Sequence, residues 1–235
     1  MPRVRAARRH GPVRSLPPRR SRRHGRPRLP GLPADCLNDC VLTPVELKAY
    51  GLLLRPWEET DRHAALRGLT DPDFRRWNSP LHPVHDEDDA IRFIRERAEG
   101  WERGTMATYA VTGDGNGDGE GAEGGIVLGH IGVAMIDFRM RCGRVGYWVL
   151  PEARGRRVAS RALEAVSRWA FRDLGLHRLE LGHAVGNEAS CGVAHRCVYA
   201  FEGLLRGAMI DPAGGMRDIH LHARLSTDPA PAPRA

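Results

Sequence analysis

The chain has 235 residues, of which 41% are hydrophobic, and its Lys and Arg residues outnumber Asp and Glu by 36 to 29. This composition excludes a wholly disordered chain and leaves room for one ordinary domain. No apolar run approaches the roughly 18–20 residues that a membrane span needs, so we expect no membrane partner. Five cysteines form no paired framework and predict a reduced, cytoplasmic protein.

The positive charge is concentrated at the N-terminus. Residues 1–30 contain 11 Arg and no acid, so residues 31–235 carry 25 basic and 29 acidic side chains, a net charge of −4. Repeated prolines forbid a continuous helix, and we predict a disordered Arg/Pro-rich arm over residues 1–40. The arm could contact nucleic acid through phosphate charge, or resemble a transit peptide, or be idle. We favour the last interpretation. It includes the case in which the native start is at a codon such as that of Val41 and the arm comes from a misplaced upstream start.

In the first half of the body, hydrophobic periodicity predicts alternating short elements. Gly51–Arg55 is typical of a buried strand, and two short helices follow at Glu59–Gly68 and Asp71–Trp77. The four acids that follow His85, at positions 86–89, fit the start of a helix that continues to Trp101, because they oppose the helix dipole. Two strands are then predicted at Ala107–Thr112 and Ile126–Ile136.

In the second half the pattern changes to strand, helix, strand. The sequence predicts strands at Gly143–Leu150 and Arg178–His183 and helices at Arg156–Leu174 and Glu188–Tyr199, followed by two strands and a tail over 227–235. The two final strands are Gly203–Ile210 and Arg217–Ala223. A strand, a helix and a second strand at this spacing form a βαβ unit. We therefore predict an α/β (α+β) fold with a mixed sheet, in a domain spanning residues 50–226.

Three patterns suggest metal ions, and we expect none to bind one. Residues 113–125 match part of an EF-hand loop, but the twelfth position is Gly125 instead of Glu, and strands flank it. Cys36 and Cys40 lack a second ligand pair. His220 and His222 lie on one face of a strand, but the sequence indicates no third ligand.

The segment that carries chemistry is Gly146–Ala159, GYWVLPEARGRRVA. A buried strand leads through a turn into a helix, whose first amides have no intrahelical partner and point outward. With the helix dipole they form an anion site suited to a pyrophosphate. Four arginines add positive charge there: Arg154, Arg156, Arg157 and Arg161.

The chain here resembles the GNAT N-acetyltransferases and, within them, the RimJ/RimL-like branch. The acetyl-CoA motif of the family, Gln/Arg-x-x-Gly-x-Gly/Ala, is similar to Arg154–Ala159 (RGRRVA). A second motif is similar to residues 187–206, and residues 53–57 (LLRPW) are typical of how such domains begin. Two positions depart from the family, which usually has glycine where this chain has Arg157 and Val198. Arginine could crowd a phosphate or pair with it, and valine could strain a helix end that suits glycine.

The resemblance implies a GNAT-like, mostly antiparallel sheet flanked by helices and direct transfer of acetyl from acetyl-CoA to a primary amine. In many family members the general acid is a tyrosine seven residues after an asparagine that corresponds to Asn187 here. In this chain that position is Ala194. Ser190 is therefore our candidate acid, with helix capping or a CoA hydrogen bond as its other interpretation. A base is left open among Glu58, Asp137, Glu202 and a water chain. The implied cofactor-binding residues are Trp148, Val149, Leu150, Arg154, Gly155, Arg156, Arg157, Val158, Ala159, Asn187 and Ser190.

Two other functions stay open at this stage. The departures at positions 157 and 198 would suit a degenerate GNAT-like module that binds CoA or a partner without catalysis. The arm would suit a nucleic-acid-associated protein, although we disfavour nucleic acid as a partner. The expected partners are acetyl-CoA and an amine acceptor, either a protein N-terminus or a small molecule. A homodimer is compatible with the branch.

Overall fold

The computed structural model of the protein describes residues 41–80, 82–115 and 125–231. Eight strands in this part form one sheet: β1 Leu47–Ala49, β2 Leu52–Arg55, β3 Met106–Gly113, β4 Val127–Asp137, β5 Cys142–Val149, β6 Arg178–Ala184, β7 Ala200–Ile210 and β8 Met216–Leu225. Their order across the sheet is β1-β2-β3-β4-β5-β6-β8-β7. The α-helices are α1 Arg62–Thr70, α2 Pro72–Trp77, α3 Glu87–Glu102, α4 Val158–Arg172 and α5 Glu188–Arg196.

The predicted order of helices and strands and the mixed sheet are confirmed. Only β5 and β6 pair in parallel, as the βαβ unit requires, and all other neighbouring strands are antiparallel. Strand β1 was not predicted, because three residues are too few to show a period. Helix α4 begins two residues later than predicted, and α5 ends at Arg196 instead of Tyr199.

Alternating side chains of the strands build a core on each face of the sheet, since successive residues of a strand point to opposite sides. Tyr109 and Val111 of β3 belong to the larger cluster, which includes the buried face of α4. Ala110, between them, belongs to the second cluster, which α1 and α3 cover. Helix α3 begins as its acids predict, because the Asp86 side chain accepts a hydrogen bond from the Asp89 amide.

One glycine allows α1 to approach the sheet closely. A Cβ atom on Gly68 would lie 2.3 Å from the ring of Trp148 on β5. No side chain fits in that space, so α1 rests directly on the tryptophan and places its end beside the last residues of β5. The site described below lies at this end of β5.

Two sequence predictions concern regions with little or no described structure. The arm over residues 1–40 lies outside the described residues, and so do residues 116–124 of the loop between β3 and β4, which hold most of the EF-hand-like pattern. Among the helices that are described, none combines the length and apolar character of a membrane span.

Candidate active site

A groove opens where the two parallel strands separate. Their pairing covers only Cys142–Arg144 of β5 and Arg178–Glu180 of β6. Beyond this region β5 pairs only with β4 and β6 pairs only with β8, so the gap between β5 and β6 widens. The resulting groove has a volume of about 720 Å³ and is walled by β5, β6, the start of α4 and the start of α5. Nine of the eleven predicted cofactor-binding residues line it; Leu150 and Arg156 do not.

The start of α4 presents free amides at one end of the groove. Within the described part of the chain, no acceptor faces the backbone N–H groups of residues 155–160. Arg157, at the N-cap position, has φ 58° and ψ 20°, in the left-handed region. This is the conformation that favours the glycine found in the family, and the chain adopts it with an arginine. Six N–H groups without a recorded acceptor thus lie at the positive end of the helix, where the sequence predicts an anion site.

Two of the four predicted arginines have other partners. The guanidinium of Arg154 contacts Asp71 at 2.6 Å and Asp73 at 2.7 Å and donates to the Val149 carbonyl. Arg161 donates to the Tyr50 carbonyl at 2.8 Å, away from the groove. The positive side chains that line the groove without a carboxylate partner in the described structure are Arg157 and Arg196, and the sequence analysis did not identify the second.

The residues Trp148, Val149 and Leu150, predicted to bind the cofactor, have backbone amides that point in different directions. The Leu150 amide donates to the Leu128 carbonyl of β4, so it is not available to a ligand. Because antiparallel hydrogen bonds alternate along a strand, the Trp148 amide also faces β4, and the Val149 amide faces the groove. Of these three predicted residues, Val149 has a backbone amide that faces the groove, whereas the N–H groups of Trp148 and Leu150 are directed at β4 within the sheet.

Asn187 and Ser190 face the groove at the start of α5. The Asn187 side chain accepts a hydrogen bond from the Ser190 amide at 3.1 Å and caps the helix. The Tyr147 hydroxyl is buried, has no hydrogen bond of ordinary geometry in the described structure, and lies near the Ser190 hydroxyl. Burial raises the pKa of Tyr147 to about 12, and Ser190 partly opposes this shift. The sequence analysis missed Tyr147 because its proximity to Ser190 depends on long-range packing.

None of the three candidate bases lines the groove. Glu58 precedes a short 3₁₀ helix and caps it, and Asp137 accepts hydrogen bonds from two backbone amides in the turn after β4. Glu202 binds the guanidinium of Arg178 at 2.8 Å. All three carboxylates therefore have structural roles in the fold.

The two histidines singled out on β8 are joined by two further ligand-type residues. His183 of β6, which also lines the groove, and Cys191 of α5 lie with His220 and His222 so that one ligand atom of each is within 4.8 Å of the others. Burial lowers the pKa of both His183 and His222. The absence of a third ligand in the sequence analysis is corrected here, because the pairing of β6 with β8 supplies one.

The sheet and groove thus define a protein that can hold an extended, anionic ligand at a strand–helix junction. The acetyltransferase (GNAT) domain family matches residues 51–198. The match covers more than half of the chain, which therefore belongs to the GNAT acetyltransferase family.

A curated relative and several solved structures are similar to the chain. The protein named "Putative ribosomal N-acetyltransferase YdaF" from Bacillus subtilis (strain 168) is 32% identical over 85 residues, which are 36% of this chain and 46% of the relative. The match thus spans about half of that relative's length. RimL, a ribosomal L7/L12 alpha-N-protein acetyltransferase in complex with coenzyme A, has a TM-score of 0.68 and 19% identity over 78% of this chain and 100% of its own. RimJ of Mycobacterium smegmatis, in complex with CoA-disulfide, has a TM-score of 0.67 and 21% identity over 80% of this chain and 90% of its own. At these identities the structural similarity establishes the fold.

Proposed function

We propose that the protein transfers the acetyl group of acetyl-CoA to a primary amine. The observation that carries this proposal is the row of acceptor-free amides at residues 155–160, at the end of a groove between separated parallel strands. Such a row suits the pyrophosphate of CoA, and Arg157 and Arg196 add charge beside it. The Val149 amide suits the pantetheine arm or the thioester carbonyl. The residues present therefore fit the co-substrate that the family implies.

The reaction needs a proton donor at the sulfur atom. In a direct transfer the amine nitrogen bonds to the acetyl carbon, the carbon–sulfur bond breaks, and the thiolate takes up a proton while the amine loses one to solvent. Ser190 and Tyr147 are the two hydroxyl groups that meet in the groove near the start of α5. With a pKa of about 12, Tyr147 stays protonated at neutral pH and can donate, either directly or through Ser190.

The acceptor is a protein N-terminus or a small molecule. Relatives support both classes: the RimL structure carries the name of an alpha-N-protein acetyltransferase, and the microcin C7 self-immunity acetyltransferase MccE was solved with acetyl-CoA and AMP. Calorimetry with acetyl-CoA, followed by a thiol-release assay over N-terminal peptides and small amines, separates transfer from binding alone. Tight binding without turnover on any amine would favour the non-catalytic module instead.

Two hydroxyl-removing variants test the proton donor. We expect Tyr147→Phe or Ser190→Ala to lower kcat by about 100-fold, the usual contribution of a general acid, while KM for acetyl-CoA changes little. If both hydroxyls act in one relay, the double variant will be no slower than the slower single variant. Tyr50→Phe, on the exposed surface beside Arg168, is the matched control. Full activity in both single variants would rule out these residues as the acid.

A further inference from the structure

Four ligand-type side chains converge beside the groove, on elements that the chain connects over long distances. His183 lies on β6, His220 and His222 on β8, and Cys191 on α5, with their ligand atoms within 4.8 Å of one another. His183 and His222 are 5% and 0% exposed, and the other two are half-buried. Burying a polar ring nitrogen costs free energy unless the nitrogen is hydrogen-bonded or binds a metal.

The register of the sheet explains why these residues meet. His183 pairs directly with His220 across β6 and β8, and His222, two residues further along β8, lies on the same face. Cys191 and His195 share one face of α5 because they are four residues apart. The ring centroids of His195 and His222 lie 5.4 Å apart, so this face of α5 covers the histidines on the sheet.

Backbone hydrogen bonds fix which ring nitrogens are free. His183 Nδ1 lies 3.1 Å from the Ala184 carbonyl oxygen, and His222 Nδ1 lies 3.3 Å from that of Tyr199. A carbonyl oxygen only accepts, so both Nδ1 atoms carry the proton in the neutral rings. The two Nε2 atoms then face each other at 3.3 Å with a lone pair each and no hydrogen between them. Because two facing lone pairs repel each other, a cation between or beside them would stabilise this arrangement.

The distance between the two Nε2 atoms matches a tetrahedral metal ion better than a shared proton. Two nitrogens bound at 2.0–2.1 Å to one tetrahedral zinc lie about 3.3 Å apart, which equals the separation observed here. Nδ1–H donation to a backbone carbonyl is the usual second interaction of a metal-bound histidine. A thiolate with imidazoles selects zinc and similar transition metals over calcium or magnesium, which prefer oxygen ligands.

We propose that His183, Cys191, His220 and His222 bind one zinc ion. Binding requires neutral imidazoles and a thiolate, so Cys191 releases one proton to solvent as the metal–sulfur bond forms. The ion joins α5 to β6 and β8 and thereby fixes the helix turn that carries Ser190. None of its four residues has a chemical role in the proposed acetyl transfer, so zinc binding can be measured separately from that reaction.

The test uses the untagged full-length chain, stripped with a chelator and then titrated with zinc against a competing chelator dye. We expect one zinc per chain, counted by native mass spectrometry, and a melting temperature higher by roughly 5–10 °C at a free zinc concentration 100-fold above Kd. Cobalt substituted for zinc should give the thiolate charge-transfer band and the intense visible bands of a tetrahedral complex.

Cys191 and His220 are only half-buried, so we expect variants at these two positions to keep the fold. Cys191→Ser and His220→Gln should weaken zinc binding by at least about 10-fold, and Cys191→Ser should abolish the thiolate band. Cys142→Ser and His63→Gln are the controls: Cys142 is a half-buried free cysteine, and His63 is an exposed histidine on α1. Failure of the wild-type chain to hold stoichiometric zinc would show that the imidazoles share only a proton and would overturn the proposal. Equal loss of zinc in the control variants would overturn it as well, because the ion would then bind elsewhere.

Discussion

Arg157 and Val198 show how this chain tolerates two departures from its family. Both residues have left-handed backbone angles, with φ of 58° and 60°. A left-handed residue other than glycine costs about 1–2 kcal/mol. The left-handed conformation is especially rare for a β-branched residue such as valine. The sequence predicts strain at Val198, and its left-handed backbone agrees with that prediction. The hydrogen bonds that follow α5 explain why the conformation persists.

Helix α5 ends in a Schellman motif with valine at the glycine position. The Val198 amide donates to the His195 carbonyl at 3.2 Å, and the Tyr199 amide donates to the Ala194 carbonyl at 2.9 Å. These two bonds satisfy the last carbonyls of the helix. Any residue other than proline at position 198 can make them, so the side chain alone determines the strain.

We therefore expect Val198→Gly to raise the free energy of unfolding by about 1 kcal/mol, because glycine adopts the left-handed region without a Cβ clash. Urea denaturation measures the change. Val185→Gly is the control: Val185 is an exposed valine in the turn before α5, without a positive φ, and its replacement should be neutral or destabilising. If both variants lose stability equally, the side chain of Val198 contributes more by packing than its backbone costs.

Among the secondary-structure elements, those with local signals were predictable from sequence and those that depend on pairing were not. The strand, loop and helix around Arg154–Ala159 form one continuous segment, so the sequence located the groove. The partners of Arg154 on α2 could not be predicted, since nothing in the local pattern relates residues 71 and 154. The same limit hid the histidine and cysteine cluster, because His183 and His222 meet only through the register of β6 and β8.

The ion pairs of Arg154 connect α2 to the loop before α4. The Asp71 side chain is 5% exposed and accepts two hydrogen bonds from one guanidinium nitrogen, whereas Asp73 is 63% exposed and accepts one. Desolvated charge pairs are costly to break, while exposed pairs contribute little. The loop that presents the α4 amides is therefore held mainly by Asp71.

Replacing each aspartate by asparagine tests this difference. We expect Asp71→Asn to lower the free energy of unfolding by about 1–2 kcal/mol and Asp73→Asn to change it by less than about 0.5 kcal/mol, both measured by urea denaturation. Asp71→Asn should also weaken acetyl-CoA binding in calorimetry, because the loop loses its anchor. Equal effects of the two variants would mean that burial of Asp71 adds nothing to the pair.

At the scale of the whole molecule, the net charge of +7 describes neither of its two parts. Residues 1–40 carry 11 Arg and two Asp, so residues 41–235 have a net charge of −2. In this mildly acidic body the groove attracts an anion through local features, namely the α4 amides together with Arg157 and Arg196. Attraction to a polyanion and recognition of CoA should therefore be separable properties.

A chain that begins at residue 41 tests this separation against the full-length protein. Duplex DNA should bind the full-length chain weakly, with an affinity that falls steeply as salt rises. The slope of log K against log salt should be no steeper than about −10, the limit for 11 arginines that each neutralise one phosphate. The shorter chain should not bind DNA, because its net charge is negative, and its affinity for acetyl-CoA should equal that of the full-length protein. DNA binding by the shorter chain would place a polyanion surface on the domain itself, where the exposed arginines at the start of α4 are the first residues to replace. A lower affinity for acetyl-CoA would instead show that residues 1–40 contribute to the groove, and the positive charge of the arm would then serve the same ligand as the α4 amides.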